Sequence, residues 1–362
     1  MGTHGVEEGH AGMALRILGA PRRYIQGPGA VAGLPEIVAT LGTRPVLIAD
    51  PVALDREGAP LPDATVLRFA GEITKAEIAR LAEAAKAAGA DVVVGMGGGK
   101  AIDSAKGVSR RLGAPIVVVP TVASNDAPTS RLIVVYDEHH TIVEVEMLAS
   151  NPDVVLVDTA IVARAPRRLL AAGIGDCMSK TFEAHACAKA GGHNFFQGRT
   201  PLAALALADA CYATIRRDGI AALAACDRQV PDEALENVVE SAVLLSGLGF
   251  ESGGLSLAHS LTRGLTAHPK LAGALHGELV AYGTLVQVAH EGMDEAGRAD
   301  IAAFSRACGL PTRLADLGLA APSDEDYAII AGPTLAAPHM KHLSRPASLD
   351  SIVAALKAVE AS

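Results

Sequence analysis

The chain has 362 residues, half of them hydrophobic, and a formal net charge of -9. A net negative charge argues against the basic face that phosphate-backbone binding requires, and 3% aromatics with no Trp argue against stacking platforms for single strands, so no nucleic-acid partner is expected. No uninterrupted apolar run is long enough to span a bilayer, so no membrane role is expected and small molecules are the expected ligands.

The first residues, 1–13, lack the basic region and apolar core of a signal peptide and read as a disordered leader of a cytoplasmic protein. The five cysteines, Cys177, Cys187, Cys211, Cys226 and Cys308, form no CxxC pair and read as reduced, mostly buried thiols.

Pro45–Ala49 reads as a buried strand ending in Asp50, and Thr65–Phe69 as a second strand. Thr74 and Glu77 have capping-box spacing, and Ile78, Leu81, Ala82 and Ala85 repeat at helical spacing until Gly89. Asp91–Val94 is a β-branched run, followed by Gly95, Gly97, Gly98 and Gly99 and then a helix-like stretch from Ala101 to Leu112. A strand, a glycine turn and a helix start bring free N–H groups and a positive dipole end to a surface cleared of side chains. A diphosphate fits such a surface, and a tight turn without a ligand is the plain alternative.

Pro115–Pro120, Leu132–Tyr136 and Val154–Asp158 read as three more strands. Strand and helix thus alternate over residues 14–165, which predicts an α/β domain with a mostly parallel sheet and ligands at the strands' carboxyl ends. Past Pro166 the pattern turns to Ala/Leu-rich helical segments such as Pro201–Ile215, Ala234–Leu248 and Glu278–Glu291. Residues 166–362 are therefore expected to form an all-α domain, with a site in the cleft between the two.

Asp50 stands where a carboxylate can accept both ribose hydroxyls of an adenosine and repel a 2′-phosphate; a helix cap is the other reading. The polar loop from Thr121 to Ser130 follows a buried strand and carries short hydroxyl and amide groups suited to a cofactor and a small polar substrate. Asp176, His259 and His276 are of the residue types that hold catalytic Zn²⁺ or Fe²⁺ with an open position, although their spacing alone does not bring them together.

The glycine stretch with Lys100, Asp103 and Lys106, the loop Pro120–Pro128 and the segment Leu244–Leu255 together resemble the glycerol dehydrogenase branch of the iron-containing, or group III, alcohol dehydrogenases. Asn151–Asp158, Ala171–Asp176 and Tyr282–Gln287 extend the resemblance over roughly residues 20 to 320. It implies a Rossmann-like NAD domain followed by a helical domain, the dehydroquinate synthase-like fold, assembled as a homo-oligomer. It places one divalent metal, zinc ahead of iron, on Asp176, His259 and His276. Cofactor contacts fall on Asp50, Gly97, Gly98, Gly99, Lys100, Asp103, Thr121, Ser124, Ser130, Leu132 and Tyr136, and the catalytic, substrate-side aspartate on Asp126. The implied activity is hydride transfer between NAD and a small polyol or alcohol, as in glycerol to dihydroxyacetone.

The chain departs from the family pattern in three places. Thr262 and Arg263 stand where a second histidine and an Asn are usual, Arg131 replaces a small residue, and Ala336–His342 replaces a late segment. Arg131 and Arg263 raise an alternative, the same chemistry on a phosphate, phosphonate or carboxylate, since guanidinium groups bind such anions through paired donors. Ion pairs with residues such as Glu144 or Glu251 are the structural alternative for both. A dinucleotide-binding protein that has lost catalysis is the non-enzymatic one.

Overall fold

The computed structural model describes residues 15–138 and 142–361, so the expected leader at residues 1–13 lies outside the described residues. Among them the strands are β1 (Arg23–Gly27), β2 (Pro45–Ala49), β3 (Thr65–Arg68), β4 (Val92–Gly97), β5 (Ile116–Pro120), β6 (Leu132–Tyr136), β7 (Ile142–Met147) and β8 (Val154–Asp158). Helices α1 (Leu34–Ala39), α2 (Pro51–Glu57), α3 (Lys75–Ala87), α4 (Gly99–Leu112) and α5 (Thr159–Ala163) are interspersed with them. The rest is helical: α6 (Arg167–Lys189), α7 (Leu202–Arg228), α8 (Glu233–Glu240), α9 (Ser246–Gly253), α10 (Leu257–Ala267), α11 (His276–His290), α12 (Glu295–Ala307), α13 (Asp324–Leu335) and α14 (Leu349–Glu360). No described helix is long and apolar enough to cross a membrane.

Six strands form one wholly parallel sheet in the order β1-β8-β5-β4-β2-β3. Both faces are covered, which is why the central strands read as unbroken Val and Ile runs. Val92, Val94 and Met96 of β4 pack with Leu34, Ile37 and Val38 of α1, while Val93, between them, points to the opposite core with Ile78 and Leu81 of α3 and Ile102 of α4. That second core continues into the helical part through Ile174, Met178, Leu257 and Tyr282.

Two expectations need correction. Leu132–Tyr136 is a strand, but it pairs antiparallel with β7 in a separate hairpin outside the main sheet. The helix expected over Ala234–Leu248 is interrupted by a π-helical turn at Ser241–Leu245. The structure also adds β1, whose mixed Arg-Tyr-Ile-Gln-Gly sequence carries little strand signal, at the edge beside β8.

The winding reverses between β2 and β4, where β3 flanks one side and the rest of the sheet the other. Such a switch point opens a crevice at the strands' carboxyl ends, and here those ends carry Asp50 and the glycine turn.

Candidate active site

Strand β4 runs on through Gly97, and α4 begins at Gly99, two residues before the expected start. Gly97 has φ +144°, and a Cβ there would lie 2.7 Å from Asp50 Cβ and 3.0 Å from Ala101 Cβ. Only glycine fits between the two strand ends. Beside this turn is a cleft of about 400 Å³ lined by Asp50, Gly98, Gly99, Lys100, Thr121 and Ser124, six of the residues expected at a cofactor. Asp50 takes the helix-cap role weighed for it and stands at the cleft as well. Its Oδ1 caps α2 by accepting the N–H groups of Val52 (2.9 Å) and Ala53 (3.3 Å), and the residue also lines the cleft.

Asp103, Ser130, Leu132 and Tyr136 are not among the residues lining that cleft. Asp103 is buried, with one oxygen 2.9 Å from Lys106 Nζ and the other accepting the Val134 N–H. Lys106, wholly buried, also donates to the carbonyls of Ala127 (2.6 Å) and Leu132 (2.9 Å). The pair therefore ties the middle of the loop after β5, and the strand β6 that follows it, to α4. Ser130 Oγ turns back to the Ala127 carbonyl, and the Tyr136 ring lies under Lys100 Nζ, 5.1 Å from the ring centroid. Lys100 itself pairs with Glu72 at 2.6 Å.

The loop carries Asp126 toward α6. Helix α6 approaches α11 so closely that a Cβ on Gly277 would lie 1.8 Å from the Ala172 carbonyl oxygen, and this contact sets His276 beside Asp176. His259 enters from α10. One ligand atom from each of Asp176, His259 and His276 lies within 4.8 Å of the others, so the structure brings together three residues separated by up to a hundred positions. Asp176 is buried, His259 partly buried, and His276 exposed on the open side. Asp176 Oδ2 is buried without a hydrogen-bond partner, a condition that costs free energy unless a cation or water meets it. A carboxylate, two imidazoles, an orphaned oxygen and an open side fit a divalent metal.

Two residues of this site escaped sequence reasoning, Lys180 and Glu183. With Asp176 they lie one and two turns apart on the same face of α6, a helical periodicity that was readable. Glu183 accepts the N–H of Ser256 (2.8 Å) and of His259 (3.0 Å) through Oε1, and its Oε2 is 2.5 Å from His259 Nδ1. Lys180 Nζ is 2.7 Å from Asp176 Oδ1, 3.1 Å from Asp126 Oδ2 and 3.2 Å from His259 Nε2. Ser246 Oγ donates to the same Asp126 oxygen at 2.7 Å.

Burial opposes every charge here; mutual attraction overrides it at Glu183, His259 and Lys180, whereas at His276 burial prevails and lowers the pKa. Desolvation pushes Glu183 up, but His259 and Lys180 bring it down to about 2. Desolvation and Lys180 push His259 down, but Glu183 and Asp176 raise it to about 9. Burial alone would discharge Lys180, yet Asp126, Asp176 and Glu183 hold it firmly protonated.

Arg131 does not present a free guanidinium. Its Nε is 3.4 Å from the buried Glu251 Oε1, its Nη2 donates to the Phe195 carbonyl at 2.6 Å, and its face stacks on Phe196 at 4.2 Å. Glu251 completes its shell with the Arg131 N–H and Asn151. Of the two structural pairings considered, Glu251 is thus taken by Arg131, whereas Glu144 pairs with Lys75. Arg263 is exposed, one turn beyond His259 on α10. A larger cleft of about 820 Å³, walled by Arg168, Lys270, Arg306 and Arg313, holds neither the glycine turn nor the three potential ligands.

Comparison with known proteins gives the chain its relatives. Residues 21–159 match the family model described as iron-containing alcohol dehydrogenase. A glycolaldehyde reductase of Halobacterium salinarum is 39% identical over 320 residues, which cover 86% of this chain and 88% of that protein. A glycerol dehydrogenase of Escherichia coli is 40% identical over 312 residues, 84% of this chain and 85% of the relative. The crystal structure of a probable glycerol dehydrogenase from Sinorhizobium meliloti superposes with a TM-score of 0.91 at 38% identity, covering 96% of this chain and 98% of the other.

Proposed function

The chain belongs to the iron-containing alcohol dehydrogenase family, and on that premise we propose that it is an NAD- and metal-dependent oxidoreductase interconverting a small polyol or alcohol with its ketone or aldehyde. The observation that carries this reading is the convergence of Asp176, His259 and His276 next to Asp126, which sits on the same loop as Thr121 and Ser124 at the wall of the cleft beside the glycine turn.

The glycine turn and the N-terminus of α4 receive the diphosphate, where uncapped N–H groups meet negative charge. Asp50 takes the ribose hydroxyls and excludes a 2′-phosphate by charge. Asp176, His259 and His276 hold the divalent metal, and a set of two imidazoles and one carboxylate suits zinc or ferrous iron. When bound, the metal supplies Lewis acidity to the substrate oxygen and the nicotinamide supplies the hydride acceptor. Asp126 is anchored through Oδ2 by Ser246 and Lys180, which leaves Oδ1 to orient a second substrate hydroxyl or to take its proton. The commitment of Arg131 to Glu251 favours a neutral polyol over an anion.

The test is NADH oxidation by the zinc-loaded protein with dihydroxyacetone against a small aldehyde bearing a carboxylate or phosphonate. Faster turnover of dihydroxyacetone is expected. Preference for the anion, lost on Arg263→Ala, would replace this substrate class with the acidic one.

A further inference from the structure

The proposed chemistry uses the Lys180 ammonium only to anchor Asp126, yet that group lies inside the ligand cluster. Lys180 extends from α6 one turn after Asp176 and is wholly buried. Two of the three atoms nearest its Nζ, Asp176 Oδ1 at 2.7 Å and His259 Nε2 at 3.2 Å, are atoms a divalent ion would bind. The third, Asp126 Oδ2 at 3.1 Å, belongs to the substrate side.

We propose that Lys180 is an internal cation occupying one corner of the metal site, and that a divalent ion enters only as the ammonium withdraws from Asp176. Lys180 thereby sets the site's metal affinity. The inference rests on the metal-dependent reading above.

Three observations support it. A divalent ion drawn to Asp176 and His259 would stand within a few ångströms of the lysine charge, where the surrounding protein screens repulsion poorly. The lysine has somewhere to go, because its stem is flexible and its charge already rests against Asp126 and the face of Phe250, 5.4 Å from the ring centroid. Asp176 keeps its second oxygen buried and unpaired, so the ammonium neutralises the carboxylate without completing its hydrogen bonding. The metal-free cluster is therefore held together by a cation that competes with the metal, whereas an apolar or uncharged residue at this position would leave the carboxylates dependent on the ion.

Zinc competition between the protein and a chromophoric chelator tests this on wild type, Lys180→Met, Lys180→Gln and, as a control, His259→Ala. Both lysine variants should hold zinc about 10- to 100-fold more tightly than wild type, the range over which groups behind the ligands tune metal affinity. Their thermal midpoints should also rise more on zinc addition than that of wild type. Lys180→Gln, which keeps a hydrogen-bonding side chain without charge, carries the measurement if the Met variant does not fold. Unchanged or weaker zinc binding in the lysine variants, with binding abolished by His259→Ala, overturns the inference while the metal-dependent reading stands. Zinc binding that His259→Ala leaves unchanged overturns both.

Discussion

Glu183 fastens His259 at two points, accepting its backbone N–H at 3.0 Å and lying 2.5 Å from its ring Nδ1. With the Nδ1 proton directed at the carboxylate, Nε2 is the nitrogen turned toward Asp176 and the metal position. Glu183→Gln keeps the shape and removes the charge, so zinc affinity is expected to fall about 10- to 100-fold in chelator competition. An unchanged affinity would reduce Glu183 to a packing role.

Asp50 divides its carboxylate between a helix cap and the cleft. Asp50→Asn preserves the cap, since Asn and Asp cap equally well, and deletes the charge proposed to exclude a 2′-phosphate. The ratio of kcat/KM for NAD against NADP should drop about 10- to 100-fold, the worth of charged hydrogen bonds, with the thermal midpoint little altered. A ratio that stays put would leave Asp50 only its cap.

Arg131 and Glu251 form a pair in which the carboxylate is completely buried. Arg131→Ala strands that charge, and urea unfolding should show a loss of about 3 kcal/mol. The preference between neutral and anionic substrates should not change. A selective loss of activity on anions, without loss of stability, would instead put the guanidinium in the substrate site.

His339 lies against Phe195, with ring centroids 5.4 Å apart, and near His342, Lys341, Glu183 and His259. Burial, aided by the nearby cations and only partly offset by Glu183, holds its pKa down to about 4. The unfolded chain, with a histidine near its ordinary value of about 6.5, binds this proton at higher pH than the folded chain does. Stability from this residue is therefore full above pH ~6.5 and declines as the pH falls toward 4, by up to about 3 kcal/mol. His339→Phe should flatten the pH dependence of the unfolding free energy over that window. An unchanged slope would assign the acid sensitivity to other groups.

Much of the α/β part is legible residue by residue. The β-branched run before the glycines has to be covered on both faces, and Thr74 caps α3 by accepting the Glu77 N–H at 3.1 Å, although only this half of the expected capping box forms, because the Glu77 carboxylate accepts the Ala70 N–H and pairs with Arg80 instead. Pairing partners are less legible: Leu132–Tyr136 has the hydrophobicity of a sheet strand, but nothing in it specifies a hairpin with the exposed, alternating Ile142–Met147. The same holds for the site. Asp176, His259 and His276 are too far apart in the chain for spacing to join them, so the family resemblance supplied what local pattern lacked. Lys180 and Glu183 were within reach of helical periodicity alone, yet a Lys and a Glu in a long helix ordinarily mark a solvated face. Only tertiary packing shows that this face of α6 points inward.

The π-helical turn at Ser241–Leu245 has its own bearing on this arrangement. It sits between α8 and α9, and the Val243 carbonyl within it accepts the Thr129 hydroxyl. A turn that takes in one residue more than an α-helical turn rotates all that follows by about 100° about the axis. That rotation aims Ser246 at Asp126 and Glu251 at Arg131. The alignment of α9 thus depends on the number of residues in the turn, and losing one residue would turn both partners off target together.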